Sequence, residues 1–168
     1  AGFHLVSNPY PSPIDLEVIA TDGTDLGSTF YVWDPTSENY ISYNSTSNSG
    51  SLGRYILPCQ AFFVYTSNTE SGGAVNFTNS ARTHNTSISF LKSTQREYPR
   101  LLLKVTDSTR YDELYIHEAD IINDGFKFLS MNPATPQLYV IGEKKNFAFY
   151  NYKSQSEAFT LDLGFRTS

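Results

Sequence analysis

The sequence predicts an all-β chain, an antiparallel β-sandwich or jelly-roll-like fold with very little helix, and three observations carry that prediction. Aromatic residues make up 15% of the chain, with Tyr and Phe at twelve each, whereas only 17% is charged. Such a mix carries too many large rings for a disordered chain and lacks the Ala, Leu, Lys and Glu runs of a helical bundle. Short β-branched and aromatic runs recur about every ten residues between polar turn-formers, the spacing of a sandwich or jelly roll. Helical sequence is confined to 14–20 and 118–122, each room for a turn or two.

Taken in order, Asn8-Pro9-Tyr10-Pro11-Ser12-Pro13 alternates proline, which excludes helix and central strand and leaves a stiff, extended crossover. Residues 29–33 are β-branched and aromatic, 34–39 are turn-rich, and 40–43 alternate, so 29–43 reads as a hairpin. Segments 61–65 and 74–77 flank a polar loop with Gly72 and Gly73 and read the same way. The run 100–105 is continuously apolar at its centre, as expected of a strand covered on both faces. Segments 113–117, 137–141, 146–150 and 158–163 complete the series. The strongest strands place Phe30, Val32, Phe62, Val64, Leu102, Leu138 and Val140 in the core. At 168 residues the chain is sized for one β-rich module over 1–168. A seam between two packed β halves is expected at 83–99.

Charge and cysteine content exclude several classes. A net charge of −5 and a pI near 5.1 offer no basic footprint for nucleic acid. No apolar stretch approaches the roughly 20 residues of a membrane-spanning helix. Cys59 is the single cysteine, so an intrachain disulfide and a cysteine metal cluster are both excluded. Its apolar setting, Leu57-Pro58-Cys59-Gln60-Ala61-Phe62, predicts a buried and inert thiol.

The string Phe3-His4-Leu5-Val6-Ser7-Asn8-Pro9-Tyr10-Pro11-Ser12-Pro13-Ile14-Asp15 resembles the opening of a region found near the C-terminus of large secreted Bacteroidetes proteins. The likeness continues in order through Trp33-Asp34-Pro35, Pro58-Cys59-Gln60-Ala61-Phe62-Phe63 and Phe77-Thr78-Asn79-Ser80-Ala81-Arg82. It extends through Tyr111-Asp112-Glu113, Leu129-Ser130-Met131-Asn132-Pro133, Pro136-Gln137-Leu138-Tyr139 and Leu163-Gly164-Phe165, almost the whole chain. The resemblance implies a non-catalytic region that precedes a sorting module read by the type IX secretion system. It therefore implies an extracellular or outer-surface location, with other domains of the same polypeptide and the secretion machinery as partners.

No hydrolase elbow, zinc-protease helix, phosphate loop or dinucleotide fingerprint occurs, so no catalytic residue is assigned. The adjacent carboxylates Asp112 and Glu113 read as surface charge. For carbohydrate, the ring candidates are Tyr10, Trp33, Tyr40 and Tyr43, beside Asp34, Asn39 and Asn44, with Trp33 better placed in the core. For calcium, the one candidate cofactor, Asp22 and Asp25 flank a turn, as do Asp120 and Asp124, although neither completes an EF-hand loop. Asp107-Ser108-Thr109 resembles the O-glycosylation acceptor pattern of Bacteroidetes, making Ser108 the candidate. The expectation is thus a non-catalytic extracellular β module that connects or presents parts of an exported surface protein. A carbohydrate-binding module and a hydrolase with an unrecognised carboxylate cleft are the alternatives.

Overall fold

A computed structural model describes residues 2–22, 26–66, 73–84, 100–119, 124–153 and 158–167. The chain is all-β, as its composition demands. The one helical element among the described residues is a 3-10 turn, Asn79–Ala81, and no helix there is long and apolar enough to cross a membrane. The chain divides into two compact units, Ala1–Val32 with Ile41–Arg96, and Trp33–Tyr40 with Glu97–Ser168. Most of the expected seam at 83–99 lies outside the described residues. That the tip of the first hairpin belongs with the second unit was not legible in the sequence.

The first unit contains β1 (Gly2–Ser7), β2 (Ile14–Asp15), β3 (Ala20–Asp22), β4 (Leu26–Asp34), β5 (Asn39–Asn44), β6 (Tyr55–Ile56), β7 (Ala61–Thr66) and β8 (Ala74–Asn76), with β4 and β5 running on into the other unit's hairpin tip. Its main sheet has the order β1-β7-β4-β5, and β2-β6 and β3-β8 form two small antiparallel pairs. Phe30, Phe62 and Val64 project from β4 and β7 into a core shared with Ile14, Leu16, Ile41, Tyr43 and Ile56, with Val32 packed partly against it. Phe30 and Phe62 meet edge to face at 5.7 Å, the arrangement that ring quadrupoles favour. After β5 the chain turns back at Gly50, whose φ of +129° suits glycine and whose missing Cβ leaves room for the Ser42 carbonyl.

The second unit contains β9 (Arg100–Asp107), β10 (Arg110–Glu118), β11 (Gly125–Phe126), β12 (Gln137–Ile141), β13 (Asn146–Tyr152) and β14 (Leu163–Arg166). The sheet order is β14-β12-β13-β10-β9, with β11 also pairing β13. Antiparallel pairing dominates, but β10 and β13 run parallel, Tyr115 opposite Phe149. A parallel pair needs a crossover connection rather than a tight turn, here supplied by the chain through β11 and β12. Leu114, Ile116 and Val140 are buried on one core cluster, against which Leu138 is partly buried; Tyr115, Ala148 and Phe149 form another.

Leu102 corrects the sequence reading. It is 41% exposed and its neighbour Leu101 is 53% exposed. The physical reason is position: β9 ends the sheet order, so its apolar run sits at an edge rather than in a doubly covered centre. We expect Leu102→Ala to change stability by less than about 1 kcal/mol in urea titration, against the roughly 2–5 kcal/mol of a fully packed leucine.

Candidate functional site

Two of the four candidate sugar rings, Tyr40 and Tyr43, are buried. Tyr43 is 1% exposed and donates its hydroxyl proton to Glu17 Oε1 at 2.8 Å or Asn48 Oδ1 at 2.7 Å, and burial pushes its pKa upward. Tyr40 is 8% exposed, with its ring stacked on Phe128 at 3.9 Å and 7°. Trp33 is half-buried and meets Tyr40 edge to face at 5.1 Å. Tyr10 is also half-buried, donates to the Phe77 carbonyl at 3.0 Å and carries the Arg82 guanidinium over its ring. The rings of Tyr40 and Tyr43 thus offer no open face to a sugar, which corrects their place in the candidate set. The polar companions are buried too: Asp34 caps the turn amides of Thr36 and Ser37, and Asn44 those of Thr46 and Ser47.

Of the metal candidates, Asp25 and Asp120 lie outside the described residues, and only the backbone of Asp22 is described, in β3. Asp124 accepts the Asn151 amide at 2.8 Å, and burial raises its carboxyl pKa. Among the described residues no group of three or more His, Cys, Asp or Glu side chains gathers. Ser108 stands exposed in the two-residue turn between β9 and β10, with φ +49°.

The side chains that do converge are those of the motif strings. Asn8, 2% exposed, donates to the carbonyls of Ser12 at 2.9 Å and Leu57 at 3.0 Å while accepting the Tyr10 amide at 2.9 Å. One amide side chain thereby serves a proline-rich segment that has few N–H donors of its own. Asp15 takes a two-pronged bond from Arg54, 2.7 and 2.5 Å, and Arg54 also pairs with Glu17.

A second convergence occurs within the other unit. The turn 35–38 ends at Glu38, whose φ is +50° and whose carbonyl accepts from Ser130 Oγ and Thr135 Oγ1. Next to it, Asn39 donates to the Tyr111 carbonyl at 3.0 Å and to Asp112 Oδ1 at 2.9 Å. Gln137, fully buried, accepts the Ser130 amide and donates to the Pro136 carbonyl. Asp112 itself receives Lys127 Nζ at 2.5 Å on each oxygen and the Leu138 amide on Oδ2 at 2.6 Å. Both charged side chains are 3% exposed. The reading of Asp112 as surface charge is therefore wrong. Its strand alternation turns it inward, whereas Glu113 turns outward to Lys104.

The same unit carries an apolar cleft of about 500 Å³ lined by Leu101, Leu103, Ile116, Tyr152, Phe159, Leu161 and Leu163. Leu101 and Leu103 come from β9, Ile116 from β10 and Tyr152 from β13, while Phe159 and Leu161 lie on the approach to β14 and Leu163 within it. Among the described residues, no carboxylate, imidazole or thiol lines it.

A family model described as a domain of unknown function, DUF8693, matches residues 1–149. The chain belongs to that family. No curated protein and no solved structure matches it. In this DUF8693 chain the residues that bear the hubs, from Asn8 to Gln137, all fall within the matched region.

Cys59 is a further correction. It is exposed rather than buried, because Leu57-Pro58-Cys59-Gln60 forms a turn closed by the Gln60 amide on the Leu57 carbonyl at 3.2 Å. Proline at the second position and a φ of +60° at Cys59 are the signature of a type II turn, whose third position favours glycine. We expect Cys59→Gly to stabilise the chain by about 1 kcal/mol, since a side chain at positive φ costs about 1–2 kcal/mol. A lowered urea midpoint would contradict this.

Proposed function

We propose that the chain is a non-catalytic extracellular β module that connects or presents other parts of a larger exported bacterial surface protein, a cargo of type IX secretion. One observation supports this reading most. The polar side chains of the motif strings, Asn8, Asp15, Asp112, Ser130, Asn132 and Gln137, are committed to the chain's own backbone and ion pairs. A catalytic acid, base or nucleophile must instead stand within reach of a substrate bond. Such motifs read as what fastens a proline-rich, turn-rich β module, and the resemblance to exported Bacteroidetes proteins supplies the setting.

Two experiments test the proposal. An epitope placed in this region of the full-length protein should be removed by protease added to intact cells; protection until lysis would overturn the surface location. The purified chain should show no turnover on polysaccharide, peptide and ester panels. Turnover abolished by one Asp or Glu substitution, with the fold intact, would establish the hydrolase alternative. Binding on a glycan array, lost on replacing Tyr10 or Trp33, would establish the carbohydrate-binding alternative.

A further inference from the structure

Lys127 Nζ meets both oxygens of Asp112 with one nitrogen, whereas Arg54 reaches the two oxygens of Asp15 through two. A charge-assisted N–H to carboxylate bond normally spans about 2.7–2.9 Å, whereas Nζ stands 2.5 Å from both Oδ1 and Oδ2. A nitrogen equidistant from the two oxygens lies within about 3 Å of Cγ, inside the near-attack separation of about 3–3.5 Å. We propose that Lys127 and Asp112 form an intramolecular amide, Nζ to Cγ, that covalently fastens β10 to the residue following β11.

The surroundings supply what such a condensation needs. Both side chains are 3% exposed, so the water released does not remain in excess around the product. Burial pushes the Lys127 ammonium toward its neutral amine, against the opposing pull of Asp112. On the carboxyl side, the Leu138 amide donates to Oδ2 at 2.6 Å and Asn39 Nδ2 to Oδ1 at 2.9 Å. Both donors polarise the carboxyl; the Leu138 N–H holds the oxyanion that forms on Oδ2, while Asn39 stands against Oδ1, the oxygen that leaves.

The step balances without a co-reactant. The ammonium passes one proton to the Asp112 carboxylate, leaving an amine and a carboxylic acid. The amine lone pair attacks Cγ, and the carbon–oxygen π pair moves onto Oδ2 beneath the Leu138 N–H. The intermediate collapses as the C=O re-forms, and Oδ1 departs as water with the transferred proton and one from Nζ. A neutral secondary amide replaces the charged pair. The link closes a loop between residues 15 apart in a chain with a single cysteine, restraining the unfolded chain as a disulfide would.

The test is the mass of the purified full-length chain, read intact and after trypsin. The amide should lower the mass by about 18 Da, one water, and block cleavage after Lys127, so that 111–127 and 128–144 stay joined. Fragmentation of the joined peptide should place the deficit on Asp112 and Lys127. Lys127→Arg keeps the charge but not the nucleophile and should restore the full mass. A succinimide at Asp124-Gly125 gives the same deficit but leaves cleavage after Lys127 intact and survives Lys127→Arg, so that pattern overturns the proposal. It is also overturned by a wild-type chain of full mass cut after Lys127. A loss of about 17 Da, one ammonia, with Asn39 joined to Lys127 would assign the link to a different partner and refute the Asp112 bond.

Discussion

Lys127→Ala is expected to cost the fold at least about 3 kcal/mol, because removing one partner of a buried ion pair typically costs about 3–5 kcal/mol. Asp112 would keep the Leu138 amide and Asn39 as donors, but a carboxylate 3% exposed would have lost its counter-charge. Where the two side chains are joined as an amide, the deficit is the lost link together with a carboxylate left buried without a counter-charge. Removing both charges, as in Lys127→Met with Asp112→Leu, is not expected to restore wild-type stability. The reason is specific to this site: the Leu138 amide and Asn39 Nδ2 would then face an apolar side chain, and each unsatisfied donor costs about 1–3 kcal/mol. Urea titration of the two variants checks both statements. A Lys127→Ala loss below about 1 kcal/mol would show that water reaches Asp112 and screens it.

Asn8→Asp is the second large effect, expected at about 3 kcal/mol or more. The substitution preserves shape and keeps an acceptor for the Tyr10 amide at 2.9 Å. It removes the N–H groups that serve the carbonyls of Ser12 and Leu57. Two carbonyls stripped of a donor cost about 1–3 kcal/mol each, and a carboxylate facing them adds repulsion. Asn8→Ala should cost less than Asn8→Asp, since it removes the donors without introducing a buried charge. The reverse order in melting temperature would mean that the carboxylate is protonated or hydrated there.

The two variants also bear on the motif strings. Asn8 and Asp112 stand in segments that resemblance singles out, and each is spent on local backbone or a buried partner. The residues that matter most for the fold are here small polar side chains, for a plain reason. A proline-rich segment such as 8–13 and a turn such as 35–38 cannot satisfy their carbonyls through regular ladders, so side chains do it instead.

Composition and alternation alone determined the all-β class, the scarcity of helix, the turn at 34–39 and the burial of Phe30, Phe62, Val64 and Val140. These follow from the two-residue repeat of a strand and from local turn chemistry, both of which lie within a few residues of each other. Tertiary structure decided the rest. Whether Leu102 is covered depends on which strand lies beyond β9, and no spacing within 100–107 encodes a neighbour. Asp112 reads as surface charge until Lys127, Asn39 and Leu138 close around it from distant parts of the chain. Cys59 looks buried by its apolar neighbours, yet a positive φ turns it outward. Tyr40 and Tyr43 carry the same ring in a stacking platform or in a core, and only the partner, Phe128 for one and Glu17 for the other, distinguishes the two. Local sequence sets the rhythm of burial, whereas burial of a given side chain is a property of what the folded chain brings against it.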